Sequence, residues 1–201
     1  DERSSRIAPG EHLIERRIPA KEALEQLLDP KRIPNLIIVR DGARVAEVVE
    51  SLIDFGLSEG EIAKAMKSAA LPERFKTRSL EGFLYPAQYS FNKDVDAKSV
   101  IAAMLEKFEW ATKNIEWSNS PTLSPFEILT VASLVETEGT PDIFGKVSRV
   151  IYNRLEKRMP LQFDSTVHYA LNRRGEIRVS LEDIKVRSKY NTFIFPGLPP
   201  G

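Results

Sequence analysis

The sequence predicts an α+β protein in which a small strand–helix–helix lobe precedes a mainly helical region. Residues 35–40 contain a short apolar run with the length of a buried strand, whereas most other apolar residues recur at helical spacing. The 201 residues correspond to one large domain or two small ones, since a domain averages roughly 150 residues. We expect an N-terminal segment over residues 1–72 and a second domain over residues 73–201.

The amino-acid composition excludes several kinds of functional site. Cysteine is absent, which rules out a disulfide scaffold, a thiolate-zinc or iron–sulfur site and a cysteine nucleophile. His12 and His168 are the only histidines, so we expect no metal and no cofactor. The 29 basic residues balance the 29 acidic ones, which argues against a nucleic-acid partner. No run approaches the roughly 18 consecutive apolar residues of a membrane span.

The N-terminal lobe is predicted to begin with a helix and a strand. Apolar residues at helical spacing predict a helix over Ala20–Leu28, which ends before Pro30. The run Leu-Ile-Ile-Val within Asn35–Arg40 predicts a buried strand, and Asp41-Gly42 predicts the turn that ends it.

Two helices are predicted to follow this strand. The first ends at Gly56 and has an apolar face made by Val45, Val48, Val49, Leu52 and Ile53. The second runs from Ser58 to about Ala69. The resulting strand–helix–helix unit fits either a small packing lobe or a binding module.

The middle of the chain combines a loop with an amphipathic helix. Phe75–Tyr89 is predicted to be a loop and Ser118–Thr122 a polar linker. Between them, Asp96–Lys113 has helical periodicity, with an inner face made by Val100, Ile101, Met104, Leu105 and Phe108.

The next helix has the clearest boundaries in the sequence. Ser124, Pro125 and Glu127 form a capping box with proline at the first helical position, and the helix continues to Glu138. Gly139 is expected to adopt the left-handed conformation that often follows a helix.

Shorter elements complete the predicted fold. A helix over Ile143–Lys157 is expected to bury Val147, Val150, Ile151 and Leu155. Further helices are predicted over Ser165–Leu171 and Ser180–Ile184, separated by a turn at Arg173–Gly175.

The last turn of the capped helix carries two acids, Glu136 and Glu138. Residues one and two turns before Glu136 are Leu129, Ala132 and Ser133, and those before Glu138 are Val131, Leu134 and Val135. Apolar neighbours raise the pKa of a carboxyl and keep it protonated as a general acid, which favours Glu138. Acids at this end also oppose the helix dipole, a departure from local stability rules that is typical of functional sites. The alternative is that both side chains point into water at a frayed helix end.

Two other segments combine polar groups with aromatic rings. Tyr190-Asn191-Thr192 and the loop Phe195–Gly201 suit a sugar, because a pyranose has apolar faces and hydroxyl edges. A proline-rich wrapping loop is the alternative. Asp164 fits either a polar site or a helix cap, and His168 is expected to be a structural histidine.

Several segments resemble, in order, those of the endolytic murein transglycosylases (the MltG or YceG-like family). Leu80–Pro86 resembles the LEG(F/W)xxP segment of this family, and Ala132–Glu138 resembles its ASxxExE helix. The other matching segments are Tyr152–Leu155, Met159–Gln162, Asp164–Val167, Tyr190–Thr192 and Gly197–Gly201. The resemblance covers about Ser79–Gly201, and residues 35–71 are similar to the LysM-like module that precedes the catalytic domain in this family.

The resemblance implies a lytic-transglycosylase-like catalytic domain over residues 73–201, with a C-terminal part missing. The reaction that the resemblance implies is cleavage of the β-1,4 bond between N-acetylmuramic acid and N-acetylglucosamine in nascent peptidoglycan. One glutamic acid protonates the leaving oxygen and then acts as base while the muramyl C6 hydroxyl attacks C1, which leaves a 1,6-anhydro end. One carboxyl suffices because the nucleophile belongs to the substrate.

The family motifs also imply roles for individual residues. Alignment on the second acid of the helix motif gives Glu138 as the catalytic residue, with Glu136 in reserve. The residues expected to line the glycan groove are Gln162, Asp164, Tyr190, Asn191 and Thr192. The sequence departs from the family pattern at Gly139, at Asp164-Ser165, where the family often has Asp-Pro, and at Ala87-Gln88, where it often has Asp-Thr.

The resemblance further implies a setting for this chain. A short cytoplasmic segment and one N-terminal membrane helix would precede it, which places the region outside the cytoplasmic membrane. The polar start at Asp1–Ser5 and the stop at Pro199-Pro200-Gly201 fit an excised piece of a longer protein. Expected partners are peptidoglycan strands and glycan-polymerising synthases (penicillin-binding proteins). A non-catalytic peptidoglycan-binding or scaffolding module is the main alternative, and a true hydrolase is a third.

Overall fold

The computed structural model describes residue 7 and residues 12–117, 120–174 and 178–201. Within these ranges, seven α-helices and one two-stranded sheet confirm the α+β class. Asp1–Ser5 lies outside the described residues, as do parts of the expected linker Ser118–Thr122 and of the expected turn Arg173–Gly175. No helix in the described ranges is both long and apolar enough to cross a bilayer.

The chain folds into two compact units, each made of two segments. Unit 1 comprises Asp1–Leu71 and Phe83–Asn114, and unit 2 comprises Pro72–Gly82 and Ile115–Gly201. This division differs from a single boundary after residue 72, because residues 83–114 group with the N-terminal segment. The separate functions expected for residues 1–72 and 73–201 stay a prediction.

Unit 1 is built around a small sheet. Its elements are α1 (Ala20–Leu28), β1 (Leu36–Val39), α2 (Val45–Phe55), α3 (Glu59–Ser68), β2 (Ala87–Ser90) and α4 (Ala97–Thr112). The strands pair antiparallel, with Leu36 opposite Ser90 and Val39 opposite Ala87. β2 corrects the expectation of a loop through Tyr89. It is four residues long, and its partner strand precedes it by two helices in the chain, so no local pattern reveals it.

Local signals predict the helix ends of unit 1 well. Ser58 caps α3 with a reciprocal hydrogen-bond pair, and Asp96 caps α4 by accepting from the N–H of Ser99 at 2.7 Å. The hydrogen bonds from Ser99 lower the pKa of Asp96 below its ordinary value. All five residues predicted for the inner face of α4 are buried. Ile53, which belongs to the predicted apolar face of α2, is 38% exposed because it lies at the edge of the apolar stripe.

Unit 2 contains α5 (Pro125–Glu138), α6 (Phe144–Glu156) and α7 (Asp164–Ala170). Its core is formed by Val131, Leu134, Val135, Ile151 and Leu161. Val150 is 45% exposed, contrary to the prediction, because it lies about 100° around α6 from the buried Ile151. The helix expected at Ser180–Ile184 is a 3-10 turn at Asp183–Lys185, and Ser180 and Asp183 exchange reciprocal hydrogen bonds where it begins.

Candidate active site

The start of α5 is set by side chains that bind its first backbone groups. The Ser124 N–H donates to Glu127 Oε2 at 2.7 Å, and the Glu127 N–H donates to Ser124 Oγ at 3.3 Å. Pro125 occupies the first helical position, which needs no backbone donor. The predicted capping box is therefore confirmed.

The end of α5 is set by packing rather than by a left-handed cap. Gly139 has φ −139° and ψ 174°, which is extended backbone, so the expected left-handed conformation is wrong. A Cβ at this position would lie 3.0 Å from Val147 Cγ2 and 3.2 Å from the carbonyl oxygen of Val135. Any larger residue here would press against α6, which approaches the end of α5 closely.

The two acids of the last turn have different surroundings. Glu138 is half-buried above the buried side chains of Val131, Leu134 and Val135, whereas Glu136 is exposed. Ser165 Oγ, from α7, donates a hydrogen bond to Glu138 Oε1. Among the described residues, Glu138 Oε2 has no hydrogen-bond partner. The structure therefore separates the two candidates as the sequence suggests, by apolar stacking.

The carboxyl of Glu81 contacts α7 one turn after Ser165. Tyr169 Oη donates to Glu81 Oε1 at 2.8 Å. Ser165 and Tyr169 are four residues apart on α7, so they share one face. Both Glu138 and Glu81 are therefore bound to that face, which we call the α7 face. Neither Glu81 nor Tyr169 was predicted from the sequence as a site residue, although Leu80-Glu81-Gly82 belongs to a segment that resembles the family pattern.

The backbone of the loop that carries Glu81 is fixed by a close approach. Gly82 has φ +81°, and a Cβ there would lie 3.2 Å from Leu129 Cδ2 of α5. Ser79 Oγ accepts from the Glu81 N–H at 3.2 Å. Glycine at residue 82 lets the loop lie against α5, which directs Glu81 towards α7.

An aromatic pair extends the site towards the C-terminal loop. The rings of Tyr169 and Tyr190 have centroids 4.6 Å apart, and Tyr190 Oη donates to the carbonyl oxygen of Gly201 at 3.2 Å. Burial, and next the hydrogen bond to Glu81, raise the pKa of Tyr169 well above its ordinary value. Tyr169 therefore stays protonated at neutral pH and serves as a donor.

Gln162 and Asp164 lie at the start of α7 with accessible side chains. Gln162 is exposed, has φ +56°, and accepts at Oε1 from the Arg154 guanidinium at 3.4 Å. Asp164 is half-buried and accepts at Oδ2 from the Val179 N–H at 3.4 Å. Asp164 is the first helical residue and Phe163 is the cap, so of the two alternatives for Asp164 the helix cap does not hold.

Asn191 and Thr192 hold the framework instead of facing a groove. Asn191 is 0% exposed and Thr192 is 1% exposed. Asn191 Nδ2 donates to the carbonyl oxygens of Ile184 and Val186, at 2.9 and 2.8 Å. Thr192 Oγ1 accepts from the Phe163 N–H at 3.0 Å. Both residues were expected to line the groove, but their polar atoms bind protein groups in the interior, where burial without partners is costly.

Two other features bear on the chemistry of the site. Among the described residues, no group of three or more acidic or histidine side chains could hold a metal ion, and His168 is buried. A cleft of about 490 Å³ lies along α6 and is lined in part by Ile128, Ser148, Arg149 and Tyr152. It contains none of the predicted site residues.

Comparison with known proteins identifies similar chains. The YceG-like family model matches residues 1–201. A Bacillus subtilis protein named endolytic murein transglycosylase is 39% identical over 61% of this chain and 34% of its own length. A Streptococcus pneumoniae protein of the same name is 37% identical over 61% of this chain and 23% of its length. The crystal structure of a YceG-like protein from Listeria monocytogenes superposes with a TM-score of 0.72 at 27% identity, over 90% of this chain and 66% of that one. The chain thus spans about a third or less of the curated relatives.

Proposed function

The chain belongs to the YceG-like family, and we propose that it is an endolytic peptidoglycan lytic transglycosylase with Glu138 as its catalytic acid and base. The proposed substrate is the glycan strand of nascent peptidoglycan, cut at the β-1,4 bond between N-acetylmuramic acid and N-acetylglucosamine. Relatives named endolytic murein transglycosylase support this activity. The observation that carries the assignment to Glu138 is its half-buried carboxyl at the end of α5, bound on one oxygen by Ser165.

The proposed reaction needs one carboxyl. Glu138 Oε2 gives its proton to the glycosidic oxygen as the bond to C1 breaks. The muramyl C6 hydroxyl then forms a bond to C1 and returns its proton to Glu138, so the enzyme regains its starting state. The products are a 1,6-anhydromuramyl end and a free N-acetylglucosamine end, and no water is consumed. Proximity of the C6 hydroxyl replaces the second carboxyl that most glycosidases use.

Three of the five expected groove residues remain candidates for contact with the glycan. Gln162 is exposed and Asp164 and Tyr190 are half-buried, so all three are accessible. The ring of Tyr190 offers a surface for a sugar face, while Gln162 and Asp164 offer hydrogen bonds to hydroxyl groups. We assign Asn191 and Thr192 to the support of this surface, because both are buried.

The setting of the protein is part of the proposal. We propose that the strand–helix–helix part of unit 1 is a LysM-like module and that the region acts outside the cytoplasmic membrane, on a protein anchored by an N-terminal helix. Glycan-polymerising synthases are its proposed protein partners, because the enzyme would release strands as they are made. The finding that relatives are named for an action on murein supports an extracytoplasmic site.

Product analysis tests the activity directly. Purified protein is incubated with uncrosslinked glycan strands, and the products are identified by mass spectrometry. We expect 1,6-anhydromuramyl ends from internal cleavage. Reducing ends with an added water would instead indicate a hydrolase. Binding to strands without cleavage, by folded protein, would favour a scaffolding module.

A further inference from the structure

We infer that the α7 face positions Glu138: Ser165 holds the carboxyl directly, and the Tyr169–Glu81 hydrogen bond anchors the helix that carries Ser165. This inference rests on the proposed function, since it names positioning residues for the same reaction. The catalytic proton transfer itself is assigned to Glu138 and to none of the positioning residues Ser165, Tyr169 and Glu81.

The need for a positioning contact follows from the end of α5. Glu138 is the last residue of the helix, and the chain leaves it in extended backbone at Gly139. Terminal turns fray, and here no basic residue in the last turn holds the carboxyl from within the helix. The contact that holds Glu138 comes from Ser165, which lies 27 residues further along the chain. The position of the carboxyl therefore depends on where α7 lies.

The α7 helix is short and needs an anchor of its own. It has 7 residues, which is too few for a helix that is stable alone, and its first residue has no side-chain cap. Thr166 and Val167 are buried on its inner side. On the α7 face, Tyr169 Oη binds Glu81 at 2.8 Å, and the loop around Glu81 lies against α5 through Gly82. The loop packs against α5, and α7 is hydrogen-bonded to this loop. The position of α7 is therefore tied to α5, the helix that carries Glu138.

The hydrogen bond from Ser165 to Glu138 is compatible with a role of Glu138 as a proton donor. Ser165 donates to Oε1 and occupies that oxygen, which leaves Oε2 for the proton and the glycosidic oxygen. A hydroxyl adds no charge beside the site, unlike a lysine or arginine at the same position. Removing it frees the side-chain torsions of Glu138, and misplacement of a catalytic group by about 1 Å can cost on the order of 100-fold in rate.

Substitutions of Ser165 test the direct contact. We expect S165A to lower kcat by about 10- to 100-fold with KM little changed, because misplacement of a catalytic group by about 1 Å can cost on the order of 100-fold in rate. S165T keeps the hydroxyl and should retain kcat within about threefold. Equal activity of S165A and the unchanged protein would overturn the inference. So would equal losses in S165A and S165T, which would indicate a packing role.

Substitution of Tyr169 tests the anchor. Y169F removes the hydroxyl that binds Glu81 and should lower kcat about tenfold, through the loosened α7 face. Y89F is the matched control, since Tyr89 Oη donates to the Tyr85 carbonyl oxygen at 2.6 Å in unit 1 and also has a pKa raised chiefly by burial. Y89F should leave kcat unchanged. A fall in kcat that is the same in Y89F and Y169F would contradict the anchor.

A measurement without catalysis separates this inference from the proposed function. A double-mutant cycle with S165A and E138A measures the coupling between the two side chains in the free energy of unfolding. We expect a favourable coupling. Absence of coupling overturns the inference even in an active enzyme. Coupling in a protein that forms no anhydro product would overturn the proposed function and leave the contact standing.

Discussion

The two ends of α5 are built in different ways. At its N-terminus, Ser124 and Glu127 bind the first backbone groups, and the acid in the first turn complements the helix dipole. At its C-terminus, the last turn carries Glu136 and Glu138 and no basic residue, and Gly139 forms no left-handed cap. The first end follows every local rule for stability, and the second departs from them.

The first end of α5 is stabilised by local contacts, whereas the second end depends on a contact with a distant part of the chain. The contacts at the first end join residues three apart, so they form with the helix itself. The contact at the second end joins Glu138 to Ser165 and exists only when unit 2 is folded. An acid that local energetics disfavour is therefore kept at a position that tertiary contacts define, as expected for a functional group.

The largest expected effect belongs to the second end. We predict that E138Q lowers formation of 1,6-anhydro ends by about 1,000-fold, because the amide cannot donate and recover the proton. The unfolding free energy should change by less than about 1 kcal/mol, since the side chain is half-buried and keeps an acceptor for Ser165. Activity assays and urea unfolding of the same preparation measure both. A stable, fully active E138Q would remove the contrast between the two ends.

The next effect concerns the packing that ends α5. G139A should destabilise the protein by about 1–3 kcal/mol, because the new Cβ would meet Val147 and the Val135 carbonyl. G60A is the control, since nothing lies within 4 Å of a Cβ at this position in α3. It should be neutral or stabilising by up to about 1 kcal/mol. Equal unfolding free energies for the two variants would show that α6 does not restrict residue 139.

The first end should affect stability and leave catalysis intact. S124A removes the cap of α5 and should cost about 1 kcal/mol in the free energy of unfolding. The value of kcat at a temperature where the variant is fully folded should not change. Denaturant unfolding and steady-state kinetics together make the measurement. A loss of kcat in folded S124A would mean that the cap also sets the position of Glu138.

The smallest expected effect comes from the exposed acid. E136K places a cation in the last turn of α5 and should stabilise the protein by roughly 0.3–1 kcal/mol. Because Glu136 is exposed, activity should stay within about threefold of the original. Loss of activity in E136K and in E136Q, with E138Q active, would transfer the catalytic role to Glu136.

Much of the helical framework could be predicted from the sequence because its signals are local. The bounds of α1 to α6 lie within three residues of those expected, since caps, proline and apolar spacing act over a few residues. The inner face of α4 was predicted completely for the same reason. The apolar neighbours of Glu138 also followed from helical spacing, since they lie on the same helix.

Other features depend on residues that are distant in the chain. β2 forms because β1 offers a hydrogen-bonding edge. The small residue at position 139 is accounted for by the close approach of α6. Asn191 is an amide in a loop by its sequence, and only the folded chain surrounds it with the carbonyl oxygens of Ile184 and Val186. Side-chain type alone therefore could not distinguish an amide that binds a ligand from one that supports a loop.

For this protein, the sequence by itself determined the α+β class, the capped helix and the two acids at its end, because each depends on spacing within one segment. Tertiary structure decided which of those acids is held by another part of the chain, and that Glu81 and Glu138 meet the same helix. The physical reason is that a hydrogen bond needs two atoms within about 3 Å, and the sequence does not state distances between remote segments.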